Sequence, residues 1–175
     1  RGMVRTLTCR EDVSGAAPVR AGEIGTLPPP APVFGNVDLV VIDAPGIPQA
    51  DGTGPLVAAW ADPWPGEVVV KAGLEAGAMT ERARLTRPSV IGRLTAPCEA
   101  GPVGRWDRAN ALELVCPGGE FASLPELQVL GGGNAALLET DQGWELMQFQ
   151  EAVLVGQDTW RLLGLLRGQR GSVPG

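Results

Sequence analysis

From Val37 onward the chain is a series of short apolar runs, each cut off within a few positions by Gly or Pro. Leu39-Val40-Val41-Ile42 precedes Ala44-Pro45-Gly46, Leu56-Val57-Ala58-Ala59-Trp60 precedes Asp62-Pro63-Trp64-Pro65-Gly66, and Val68-Val69-Val70 stands between Gly66 and Gly73. Aliphatic and β-branched runs of this length, bounded by turn formers, make strands and are too short for stable helices. Gly and Pro supply 25 and 16 of the 175 residues, yet 44% of the chain is hydrophobic. That mixture predicts an all-β fold and not a disordered chain. Many short strands must hide their edges, which favours curled sheets or a barrel-like domain over a flat open sheet.

The expected strands are residues 38–43 (a buried one), 56–61, 67–71, 80–85, 90–94, 112–115, 134–139, 143–150, 152–155 and 159–166. Trp144 with Leu146, and Trp160 with Leu162, keep period two, and Gly156-Gln157-Asp158 is a tight connection between the last two strands. One short helix is expected over about 123–131. Ser123 and Glu126 have capping-box spacing, Pro125 sits in the first turn, and Gly131-Gly132-Gly133 ends it. Upstream, residues 3–9 alternate like a half-buried strand, and 15–35 hold five prolines including Pro28-Pro29-Pro30. Such a stretch is a stiff linker or a strap along a surface. Residues 1–14 therefore read as the end of a preceding domain, 15–36 as a Pro-rich linker, 37–171 as the β-rich domain, and 172–175 as a tail or link. With Arg1-Gly2-Met3 at its start and no charged-then-apolar pattern behind it, the chain reads as part of a longer polypeptide.

Absences limit the chemistry. There is no His and no Tyr, and Lys71 is the single lysine. Ser-His-Asp and Cys-His pairs cannot be built from this chain, and Lys71 does not sit in a phosphate-cradling loop. Cys9, Cys98 and Cys116 include no CxxC pair, so no metal site and no cofactor is expected. Cys98 and Cys116 are read as free thiols, with a disulfide between them as the rival. A net charge of −6 argues against general nucleic-acid binding.

Carboxylates are the remaining catalytic device: Asp38 and Asp43 bracket a strand, and Glu139, Asp141, Glu145 and Glu151 cluster in sequence. Carboxylates at strand ends are ordinarily solvated, and no catalytic residue is assigned. Five tryptophans either pack in the core or at an interface, or stack on sugars, with Trp60, Trp64 and Trp106 the candidates.

The most specific pattern is carboxyl-terminal. It begins at Gly143-Trp144-Glu145-Leu146-Met147-Gln148-Phe149-Gln150-Glu151-Ala152. It continues in Thr159-Trp160-Arg161-Leu162-Leu163-Gly164-Leu165-Leu166-Arg167-Gly168-Gln169-Arg170-Gly171. This resembles the tail-tip hub proteins of siphophages and of gene transfer agents. Trp60 to Pro65, Thr86 to Gly92, Trp106-Asp107-Arg108-Ala109-Asn110 and the stretch from Glu126 to Asn134 are similar to that family too. The likeness spans about residues 38–171. Gly171-Ser172 stands where Gly-Thr is usual, and the region of Cys98 has no counterpart in the pattern. The resemblance implies a non-enzymatic structural role in closing the tail tube and supporting host attachment and DNA delivery. It further implies a homotrimer of the parent chain around the tail axis, located at the particle's tail tip after assembly in the bacterial cytoplasm. Its partners would be other tail-tip and hub proteins and the host envelope, without sequence-specific nucleic-acid contact. Trp144, Phe149, Trp160, Arg167 and Arg170 are the candidate interface residues. The two arginines would either reach carboxylates of a neighbouring domain or subunit, or face water. A module that binds host surface glycans is the alternative.

Overall fold

The turn-bounded runs become strands. The structure, a computed structural model, describes residues 34–44 and 54–174, which fall in the unit Phe34–Gly175. Residues 3–9, the Pro-rich stretch up to residue 33, and Cys9 lie outside the described residues. Chain order is β1 (Asp38–Ile42), β2 (Leu56–Trp60), β3 (Val68–Ala72), β4 (Thr80–Leu85), β5 (Arg93–Leu94) and β6 (Trp106–Val115). There follow α1 (Glu126–Leu130), β7 (Ala135–Thr140), β8 (Gly143–Gly156) and β9 (Thr159–Leu166). The fold is all-β with one short helix.

β1 pairs with β2, and β3 with β4, as separate antiparallel hairpins. The other five strands form one sheet in the order β5-β6-β9-β8-β7, antiparallel throughout and curled into half a barrel. It carries the core: Leu112 and Leu114 on β6 with Cys116 just past its end, Met147 and Phe149 on β8, Leu162 and Leu165 on β9. Phe121 closes one end, edge-on to both Trp160 and Phe149 with ring centroids 5.3 and 6.0 Å away.

Several boundaries differ from expectation. β1 is largely exposed despite its β-branched run; of its residues only Ile42 is buried, because β2 is its sole ladder partner. The strand expected at 90–94 shrinks to two residues, since the Pro88 approach and Gly92 leave little ladder to make. β6 begins at Trp106, before the apolar run, and takes in a polar irregularity between Asp107 and Ala111. The two strands expected at 143–150 and 152–155 are one, because Glu151 stays in register with Leu163. The capping box is not made. Ser123 instead exchanges hydrogen bonds with the Ala152 backbone of β8, and Pro125 occupies the cap without a side-chain bond.

The strand alternation also changes phase. Leu162 and Leu165 both point inward although they are three positions apart, and Ala152, likewise three positions from Phe149, packs on the same core. Gly164 lies at the change, with φ 62° and room for no side chain: a Cβ there would stand 3.0 Å from that of Gln150. Past this point the inward positions of β9 and its continuation are Leu165 and Arg167.

Candidate functional site

The phase change delivers a guanidinium into the interior. Arg167 follows the end of β9 and Glu145 lies near the start of β8, on neighbouring strands and diagonal across the ladder. Both side chains are 0% exposed. Arg167 Nε donates to Glu145 Oε1 and Nη2 to Oε2, each at 2.6 Å, a bidentate pair. Arg167 Nη1 donates to Cys98 Sγ at 2.9 Å and to the Glu99 carbonyl at 3.1 Å. The Gly168 amide adds a third bond to Glu145, at 2.9 Å. A parallel bridge between Val103 and Arg167 holds the 98–103 segment across the strand end.

Asp107 completes the buried polar group. Its Oδ1 accepts from the Ala109 and Asn110 amides at 3.0 and 3.1 Å, and its Oδ2 from Asn110 Nδ2 at 2.8 Å. Gly101 is required beside it, because a Cβ there would lie 2.3 Å from Asp107 Oδ2. Burial pushes the Asp107 carboxyl up. The Asn110 bonds, the Ala109 amide and the Arg167 charge outweigh this and hold it below the usual carboxylate range.

The bond to Glu145 raises the Arg167 guanidinium further, against the opposing effect of its burial. For Cys98 burial dominates and pushes the thiol up; Arg167 opposes this, while Glu145, Asp107 and Glu99 reinforce it. Cys98 is therefore a protonated thiol at neutral pH, accepting from Arg167 and facing the Glu99 carbonyl 3.5 Å away. Cys98 and Cys116 are both free, as the first of the two readings expected.

Ser172 closes the seam. Its Oγ accepts from the Leu146 amide at 2.9 Å and bonds the Leu146 and Gln169 carbonyls at 3.3 and 2.9 Å. β9 has ended by this point, so the hydroxyl continues the ladder on β8 where no strand remains. Ser172 itself is 5% exposed and docked on β8.

The structure scatters the remaining candidates. Phe149 is enclosed in the core, Trp160 packs on Phe121, Trp144 is half-buried, and Arg170 is exposed. Arg167 reaches a carboxylate within its own chain, Glu145, because the Gly164 phase change turns it inward. Of the carboxylates considered for acid–base work, Asp38, Asp43, Glu139, Asp141 and Glu151 are exposed, and Glu145 is committed to Arg167 and Gly168. Among the tryptophans, Trp106 Nε1 donates to Glu126 at 3.1 Å with Arg108 over its ring, and Trp64 is half-buried. Trp60 lines a surface cleft. Reasoning from the sequence missed Cys98, Asp107 and Ser172 as members of the seam. Asp107 and Asn110 stand in the family-like run 106–110 ahead of the expected strand, with no sign that they would be buried, and nothing marks Cys98.

Among the described residues, no group of three or more His, Cys, Asp or Glu could hold a metal, and no helix is long and apolar enough to cross a membrane. The seam is charged, internally paired and fully buried at Glu145 and Arg167, an arrangement suited to fixing strands and loops in one register.

A family model described as "Rcc01698-like, C-terminal" matches residues 89–175, just under half of the chain. The matched region contains β5 to β9 and every member of the seam. The family comes from the gene transfer agent region of Rhodobacter capsulatus, and the match is consistent with a protein related to gene transfer agents. No curated protein matches the chain.

Proposed function

We propose that this chain is a structural module of a phage-like tail tip, part of the baseplate hub that closes the tail tube and supports host attachment and DNA delivery. The observation that carries the reading is the family match over residues 89–175, the segment that holds the large sheet and the Glu145–Arg167 seam. The seam's chemistry agrees with a scaffold: its charged groups are spent on one another and on backbone. In this reading the parent chain assembles as a homotrimer around the tail axis and contacts other tail-tip proteins and the host envelope. The exposed face of β1, with Leu39 and Val41 about half exposed, offers apolar area for such contacts.

Electron microscopy of the full-length parent chain in its native particle tests this. Density for the segment in a threefold ring at the tail end supports the hub. Density on a peripheral fibre, away from the axis, overturns it.

A further inference from the structure

Two cross-strand pairs meet where the β1–β2 hairpin abuts the edge of the large sheet. Asp38 lies opposite Trp60 in the hairpin, and Arg93 lies opposite Val115 in the sheet. Between them is a cleft of about 120 Å³ whose walls are Trp60, Ile91, Val115 and Pro117 and whose polar groups are Asp38 and Arg93. Drug-sized ligands occupy roughly 300–1,000 Å³, so this cleft holds a single ring and not an extended molecule.

The polar pair is loose. Arg93 Nη2 and Asp38 Oδ2 are 3.9 Å apart, and their side chains are 84% and 53% exposed. Such a contact contributes little to stability, which leaves both groups able to exchange each other for a ligand. A wholly apolar guest would use the walls and strand the charges. An anion would gain Arg93 but meet Asp38 beside it and a chain of net charge −6. A guest with one C–H face and a rim of hydroxyls uses everything present. The indole takes the C–H face, the carboxylate accepts hydroxyl protons, and the guanidinium donates to hydroxyl oxygens.

We propose that this cleft is a saccharide subsite, binding one neutral hexopyranose ring over Trp60 with its hydroxyls on Asp38 and Arg93. The site is separate from the Glu145–Arg167 seam and does not depend on the tail-tip reading. Loss of sugar binding would leave assembly of the particle untouched.

The test is saturation-transfer NMR on the full chain with the methyl glycosides of glucose, galactose and mannose. Each is used at about 10 mM, in excess over a Kd of about 1 mM. The expected result is transfer strongest to the ring C–H protons of at least one glycoside. Asp38→Asn and Arg93→Gln, both at exposed positions, should keep the thermal melt unchanged and weaken binding about tenfold, the loss for one charged hydrogen bond. Trp60→Ala should abolish transfer. If that variant fails to fold, the two exposed variants still decide the matter. No transfer to any of the three glycosides overturns the proposal. So does transfer that both exposed variants leave intact, or cyclohexanol binding as tightly as the glycosides.

Discussion

Replacing Arg167 by Met removes the cation from the seam and leaves the Glu145 carboxylate with the Gly168 amide alone among its three bonds described above. Both side chains are fully buried, so no water makes up the deficit. Breaking one side of such a pair costs about 3–5 kcal/mol, a large part of the roughly 5–15 kcal/mol that holds a domain folded. At about 2–4 °C per kcal/mol for a chain of this size, a loss of about 4 kcal/mol lowers Tm by about 8–16 °C. Glu145→Met alone takes from the guanidinium its bidentate carboxylate, leaving weaker acceptors such as Cys98 Sγ and the Glu99 carbonyl, and should cost a similar amount. The double variant Arg167→Met/Glu145→Met buries two flexible apolar chains and no charge. It should recover more than half of the summed losses. Urea unfolding of the four proteins, followed by circular dichroism, gives the coupling energy directly. Additivity within about 0.5 kcal/mol would refute the argument, for it would mean that neither charge depends on the other.

Gly164→Ala forces a left-handed backbone on a residue with a side chain and presses its Cβ against Gln150; a loss of about 2 kcal/mol in urea unfolding is expected. Ser172→Ala strips the Leu146 amide of its acceptor and should cost about 1–3 kcal/mol. Ser172→Thr keeps the hydroxyl and should melt within about 2 °C of the parent. The folded-state pKa of Asp107 lies below its unfolded value. Its contribution is therefore present above about pH 4 and is lost as pH falls through the folded value. A pH titration of unfolding free energy should show this acid-side loss, and Asp107→Asn should flatten it.

The strands β7 to β9 were legible because their alternation and turn residues are local properties, written into consecutive positions. The helix was legible for the same reason, but its cap was not. Whether Ser123 serves its own helix or the Ala152 backbone depends on a strand 29 residues away. Arg167 shows the limit most clearly. Counting in twos from Leu162 puts residue 167 on the outer face, and only the left-handed conformation at Gly164 resets the count. A glycine in a strand signals a bulge or a close approach without saying which. Cys98 enters the seam through a contact 69 residues distant in sequence, and no periodicity carries information over such a span.

That span makes the seam a meeting point of distant segments. Arg167 leaves water only after β8 has brought Glu145, β9 has turned at Gly164, and the segment from Cys98 to Val103 has crossed the strand end. Each arrival alone leaves the guanidinium hydrated, so the pair behaves as a logical conjunction that registers when all three are in place. An interaction built from three segments is lost as soon as any one of them leaves, so the seam couples the opening of all three.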